Sequence, residues 1–132
     1  MTFKPAAQIA REQTDWGVFA AVTSPADGAE RIMAVEGTFF PGKGHDFHRH
    51  PNQEEVIYVL EGELEQWVER EHRLLQAGDG VLIPAGVVHA SFNIGTEEAK
   101  ILAVLSPCVG DQGYEVEELA SEEPWRSLRG GS

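Results

Sequence analysis

Short apolar runs separated by glycine and proline constrain this chain more than any other feature of its sequence. Residues 56–60 form a β-branched and aromatic run, and Gly62 follows with the conformational freedom that a hairpin turn requires. Residues 81–83 form a similar run that stops at Pro84. No helical periodicity persists between these runs, so the pattern predicts an all-β antiparallel sandwich or barrel. The predicted strands are 33–40, 45–50, 56–60, 64–69, 73–76, 81–83, 87–92 and 100–105.

The two ends of the chain differ from its strand-rich middle. Residues 1–15 are polar and loosely patterned, which indicates an arm or a short helix, and residues 115–129 are acidic. The terminal residues 130–132 are expected to be flexible. A length of 132 residues suits one domain, 1–132, with a core at about 33–106, an N-terminal arm at 1–32 and a C-terminal segment at 107–132.

Charge and cysteine content exclude several classes of partner. Twenty-two acidic residues against ten basic ones give a net charge of −12, which repels a phosphate backbone and argues against nucleic-acid binding. The single Cys108 has no internal disulfide partner and is expected to pack rather than to react. No segment has the apolar length of a membrane span, and residues 1–12 lack the apolar region of a signal peptide. These features predict a cytoplasmic protein that does not bind membranes.

Three histidines and one glutamate have the spacing of a metal site. His48 and His50 are two residues apart, so on a β-strand both side chains point to the same face. Glu55 follows closely, and His89 comes 34 residues after it. Imidazole and carboxylate ligands suit Fe, Mn, Ni, Cu or Zn, and no thiolate is near to narrow that choice. The sequence predicts one divalent transition-metal ion per chain, held by His48, His50, Glu55 and His89.

These residues belong to two longer motifs on which the chain resembles the cupins, a family of small β-barrels with a metal inside. The first motif is Gly42-x5-His48-x-His50-x4-Glu55-x6-Gly62, and the second is Gly78-x5-Pro84-x-Gly86-x2-His89-x3-Asn93. Fifteen residues separate Gly62 from Gly78, as in compact single-domain members. The resemblance covers about residues 33–106. It implies a double-stranded β-helix, or jelly-roll barrel, with short irregular or helical termini. It also implies that His48, His50, Glu55 and His89 are the metal ligands.

Strand alternation predicts where the side chains beside the ligands point. An inward His48 places Asp46 inside the barrel and His45 outside it. His45 is therefore expected to be a surface residue, and so is His72 in its polar bend. On the next strand Glu55 shares a face with an apolar row, whereas Glu54 points the other way into solvent.

Several functions are compatible with this site. The leading hypothesis is a metal-dependent, dioxygenase-like oxidoreductase that acts on a small enol-, keto- or carboxylate-bearing compound. Glu55 is a candidate proton acceptor if it loosens from the ion, and the sequence shows no obvious second acid or base. A metal-dependent isomerase, lyase or decarboxylase is one alternative, and a non-catalytic module that binds a small ligand is another.

The exposed strand edges of a lone small barrel favour association into a homodimer. Cupins similar to this chain commonly form dimers, often by exchanging an N-terminal strand. Residues 16–22 are apolar enough to serve as that strand.

Overall fold

The fold consists of two antiparallel β-sheets. The computed structural model describes residues 1–129. The expected flexibility of residues 130–132 lies outside this range. The strands are β1 Arg11–Gln13, β2 Gly17–Ala21, β3 Met33–Phe39, β4 Gly44–Arg49, β5 Glu54–Glu61, β6 Glu63–Val68, β7 Glu71–Gln76, β8 Gly80–Ile83, β9 His89–Phe92, β10 Ala99–Ser106 and β11 Glu117–Glu118. The helices are two single-turn 3₁₀ segments, Ala6–Gln8 and Pro25–Asp27, and one short α-helix, α1 Trp125–Leu128.

The sheet orders show how the chain folds back on itself. The larger sheet has the order β1-β2-β3-β10-β5-β8, and the smaller sheet has the order β11-β4-β9-β6-β7. Every pair in these sheets is antiparallel. The predicted antiparallel all-β architecture is confirmed, and all eight predicted strands are present with ends that differ by at most two residues.

The main core lies on the inner face of the larger sheet. Burial alternates along the whole of β3 and β10, as expected for strands with one face in the core. β10 pairs with both β3 and β5, so its inner residues lie at the centre of the sheet. The largest buried apolar side chains of this core are Met33, Phe39, Ile57, Leu64, Ile83, Ile101 and Leu105.

A second apolar cluster lies on the opposite face of the smaller sheet and is covered by the C-terminal segment. Phe47 in β4 is buried in it, with Trp67 and Phe92 from neighbouring strands. Leu119 and Trp125 pack onto this cluster from the C-terminal segment. The segment therefore has a structural role, because it shields apolar side chains on the outer face of the sheet that carries the histidines.

The N-terminal arm extends the larger sheet. β2 pairs with β3 of the same chain, and β1 pairs with β2 to form the edge. In the described range no helix combines the length and apolar character that crossing a membrane requires.

Candidate metal centre

The four predicted ligands meet at one end of the space between the sheets. His48 lies in β4 and His89 begins β9, and these two residues are directly paired across the two strands. His50 follows the end of β4, and Glu55 lies on the inner face of β5 in the other sheet. All four side chains are buried, and one ligand atom of each lies within 4.8 Å of the others.

Each imidazole is oriented by a backbone carbonyl. His48 Nδ1 lies 2.6 Å from the carbonyl oxygen of Asp46, and His89 Nδ1 lies 2.9 Å from that of Val87. His50 Nδ1 lies 2.7 Å from the carbonyl oxygen of Glu115, in the C-terminal segment. A carbonyl only accepts, so each Nδ1 carries the proton and donates it. In the neutral form of each ring the lone pair is therefore on Nε2, which is the state that metal-binding histidines require.

The centre of the cluster contains two electron-rich atoms without a donor between them. Glu55 Oε1 lies 2.9 Å from His89 Nε2 and 3.3 Å from His50 Nε2. Within residues 1–129, neither Glu55 Oε1 nor His89 Nε2 has a hydrogen-bond partner, although both atoms are fully buried. Buried polar atoms are almost always satisfied, so this pair requires a proton or a cation. The donor set fits a divalent transition-metal ion.

The protonation states of the ligands follow from burial and from one another. Burial would raise the pKa of Glu55, but the nearby His50 and His89 outweigh it and hold that pKa far below its usual range. Burial, together with the neighbouring His45 and His89, keeps the pKa of His48 well below its usual value. Glu55 is therefore an anion and His48 a neutral imidazole at neutral pH, and these are the forms that bind metal.

A cavity of about 360 Å³ extends from these ligands toward the open end of the barrel. Its walls are mostly apolar side chains from the inner face of the larger sheet. Aromatic side chains from the N-terminal arm, β3 and the C-terminal segment complete the walls, namely Trp16, Phe19, Phe39 and Tyr114. The cavity is large enough for a small organic molecule next to the ligand cluster.

His45 also lines the cavity, so the prediction that it points outward is wrong. Its ring stacks on that of His48 with centroids 3.6 Å apart and planes 8° apart. The register between β4 and β9 shifts by one residue between His45 and His48, and this bulge turns His45 inward. Asp46 is exposed, so its expected inward position is also wrong.

Glu118 reaches the same part of the cavity and was not identified from the sequence. β11 pairs with β4 so that Glu118 lies opposite His48, and the Nε2–H of His45 donates to Glu118 Oε1 at 3.1 Å. His45, His48 and Glu118 are close enough to form a second metal-binding trio. His48 belongs to both groups, however, and its Nδ1 already donates to a carbonyl, so its Nε2 can serve only one of them.

The other side chains that the sequence singled out lie where they were expected. Glu54 and His72 are exposed, and His72 stacks on Trp67. Cys108 is half-buried and packs against the main core.

Comparisons with known proteins agree with this architecture. A family model described as "Cupin domain" matches residues 35–105. "Polyketide synthase CurC" of Streptomyces cyaneus is 42% identical over 67 residues, which are 51% of this chain and 44% of that protein. "Quercetin 2,3-dioxygenase" of Bacillus subtilis is 30% identical over 98 residues, which are 74% of this chain and 25% of that protein. The chain thus spans less than half the length of either relative.

A solved structure extends the likeness to the whole fold. The oxalate decarboxylase of Lactobacillus farciminis, in its formate complex, superposes with a TM-score of 0.75 and 25% identity. The match covers 86% of this chain and 34% of that one. The predicted jelly-roll fold is confirmed.

Proposed function

The chain belongs to the cupin family, and from that premise we propose that it is a metal-dependent enzyme acting on a small organic compound with an enol, keto or carboxylate group. We propose that the whole chain forms one domain, with both terminal segments completing the barrel. The observation that carries the proposal is the buried pair of Glu55 Oε1 and His89 Nε2, which face each other without a donor at the end of an apolar cavity.

The three histidines, through Nε2, and Glu55, through Oε1, would hold one divalent ion from the set Fe, Mn, Ni, Cu and Zn. When bound, such an ion supplies Lewis-acid polarisation of substrate oxygen atoms. The backbone carbonyls that accept from each Nδ1–H fix the ring orientations, so the donor set is preorganised. The apolar walls exclude water from the reacting atoms. Glu55 would accept a proton only when its Oε1 loosens from the ion, since the same atom points into the cluster and is ionised at neutral pH.

A dioxygenase reaction is the first candidate. The support is the similarity to quercetin 2,3-dioxygenase, which aligns with 74% of this chain. A non-oxidative reaction such as decarboxylation is the second candidate, supported by the superposition on oxalate decarboxylase at a TM-score of 0.75. The same four ligands suit both reactions, because each reaction would use a metal ion that polarises oxygen atoms of the substrate.

Metal content is the first test of this proposal. Wild type, Glu55→Ala and His89→Ala are purified identically without a tag or added metal, and each is analysed for its elements. We expect near-stoichiometric Fe, Mn, Ni, Cu or Zn in the wild type and its loss from both variants. A wild type that stays metal-free after reconstitution contradicts the proposal.

Oxygen uptake separates the two reactions. The reconstituted protein is supplied with diketones, flavonols or phenolic acids while oxygen and substrate are followed together. Equal consumption of oxygen and substrate supports the dioxygenase, whereas turnover that continues without oxygen supports the non-oxidative candidate.

We also propose that the chain forms a homodimer. The support is an exposed apolar face on the larger sheet, where Val56, Tyr58, Leu60 and Leu82 are all exposed. Contiguous apolar surface of this kind marks an interaction site more often than a solvated face.

A further inference from the structure

The shape of the cavity wall indicates which kind of molecule it accepts. Trp16 and Phe39 line it with ring centroids 5.0 Å apart, and Phe19 and Tyr114 line it with centroids 5.9 Å apart. These aromatic surfaces favour a ligand that is itself flat and apolar. A water molecule occupies about 30 Å³, so the cavity of about 360 Å³ suits a compound of one or two rings better than a two-carbon acid.

The charges around the cavity favour a neutral ligand over a doubly charged one. No lysine or arginine from residues 1–129 lines it, whereas Glu12 and Glu118 do, in addition to Glu55. The charge of a divalent ion is partly balanced by Glu55, which leaves the other two carboxylates facing any ligand that enters. With the divalent ion bound, the ion and the three carboxylates together carry a net charge of −1, so a dianion meets net repulsion while a neutral ligand does not.

We propose that this cavity selects a flat, uncharged ring compound with two adjacent oxygen atoms, such as a cyclic hydroxyketone, over small dicarboxylates such as oxalate. This inference rests on the proposed function, since the oxygen pair binds at the metal. The ring lies against the aromatic wall, and the adjacent oxygens reach the ligand cluster. Glu118 and Glu12 keep doubly charged acids out.

Maltol and oxalate are suitable probes, because both offer an oxygen pair to a metal but maltol is a neutral ring and oxalate a dianion. Protein loaded with zinc, which avoids redox turnover, is assayed for metal content and then titrated with each probe by calorimetry. We expect maltol to bind at least about tenfold more tightly, equivalent to about 1.4 kcal/mol. Oxalate binding that equals or exceeds maltol binding overturns the inference.

Charge-reversal variants test the role of the carboxylates. Glu12→Arg and Glu118→Arg each place a cation at the cavity, and Glu71→Arg makes the same change at an exposed position in β7 that does not line the cavity. We expect the preference for maltol to fall about fivefold or more in each cavity variant and to stay at the wild-type ratio in the control. An unchanged preference in both cavity variants overturns the role of charge.

Tryptophan fluorescence locates the ligand. Trp16 lines the cavity, whereas Trp67 and Trp125 belong to the second apolar cluster. Maltol should quench the wild type, and Trp16→Phe should remove that quenching while maltol still binds. Quenching that persists in Trp16→Phe overturns the proposed location. A protein that takes up none of Zn, Fe, Mn, Ni and Cu refutes the proposed function, whereas a loaded protein that binds neither probe refutes the substrate class alone.

Discussion

Glu55 is the residue on which the proposed metal centre should depend most directly. Glu55→Gln keeps the size and shape of the side chain but replaces the anion with a neutral amide, so the fold should persist while metal binding weakens. We expect a loss of at least about 100-fold in metal affinity, measured by competition with a chelator, since removal of a supporting residue alone costs 10–100-fold. Glu54→Gln is the matched control at an exposed neighbour and should leave the affinity unchanged. Equal affinity in the two variants would contradict the assignment of Glu55 as a ligand.

His50 determines how the site responds to pH. Burial would lower the pKa of His50, but the adjacent carboxylate of Glu55 outweighs it and raises that pKa. Protonated His50 therefore stabilises the metal-free fold below an unfolded-state value of about 6.5, and this contribution is lost as pH rises through the raised folded-state pKa. Metal binding needs the neutral imidazole, so it responds to pH in the opposite direction.

These opposite signs can be measured on one preparation. The lowered pKa of His48 gives stability the opposite dependence on pH, so the contribution of His50 is measured against Glu55→Gln, which removes the cause of the raised pKa of His50. Between about pH 6 and about pH 8 we expect the Tm of the metal-free wild type to fall relative to that of Glu55→Gln, and the metal affinity of the wild type to rise. Calorimetric melting in the presence of a chelator, with a metal titration at each pH, checks both trends. A Tm that changes with pH in the same way in the wild type and in Glu55→Gln would show that His50 is not the controlling group.

The sequence predicted the four-residue cluster better than its surroundings. His48, His50, Glu55 and His89 follow from motif spacing and strand alternation, which are local properties of the sequence. The inward position of His45 depends on a bulge, and one extra residue in a strand reverses the face that alternation assigns. Glu118 lies 73 residues from its partner His45. A contact between residues so far apart in the sequence cannot be predicted from the pattern of a single strand.

At the scale of whole elements, the strands of the barrel core were predictable and the two shortest strands, β1 and β11, were not. β3, β5 and β10 alternate between buried and more exposed positions over seven or eight residues, so their amphipathic pattern is visible in the sequence. β1 and β11 have three and two residues, all of them exposed. Such segments become strands only because a neighbouring strand offers hydrogen bonds, so their existence depends on tertiary structure.

The C-terminal segment should contribute to stability through Trp125. This side chain packs on Phe47, with ring centroids 5.5 Å apart, and covers the second apolar cluster. Because Trp125 is only partly buried, we expect Trp125→Ala to lower the free energy of unfolding by about 1–3 kcal/mol. Urea denaturation of the metal-free protein measures the change.

Arg126→Ala is the control for that prediction, because Arg126 lies in the same short helix with a mostly exposed ion pair to Glu123. An exposed pair contributes at most about 1 kcal/mol, so the control should stay close to the wild type. If Trp125→Ala is as stable as Arg126→Ala, the segment covers the cluster without stabilising it.

For the whole molecule, the outer face of the larger sheet is the surface that most needs a partner. Val56 lies between Val104 and Leu82 on the paired strands, and Tyr58 lies opposite Leu102. Leu82 is 59% exposed and Tyr58 is 43% exposed. These side chains share one face, because residues paired across antiparallel strands point the same way.

The charges at the ends of this face favour a second copy of the chain as its partner. Lys100 lies at one end of β10, and Glu54 lies beside the other end, next to Ser106. A twofold axis perpendicular to the strands would place Lys100 of one copy opposite Glu54 of the other while the apolar residues meet at the centre. Glu61 pairs with Lys100 at the same end, so the complementarity of charge is only partial. The apolar centre of the face is self-complementary, as the core of a symmetric interface must be.

Tyr58→Glu tests this interface, because the twofold arrangement would bring two added carboxylates together in an apolar surface. We expect light scattering after size exclusion to give twice the chain mass of 14.5 kDa for the wild type and the mass of one chain for Tyr58→Glu. Leu74→Glu adds the same charge at an exposed apolar position in β7 of the other sheet and should remain a dimer. A wild type with the mass of one chain would refute the homodimer. If Tyr58→Glu stays a dimer and Leu74→Glu dissociates, the interface lies on the smaller sheet, because the added charge disrupts the dimer only at Leu74.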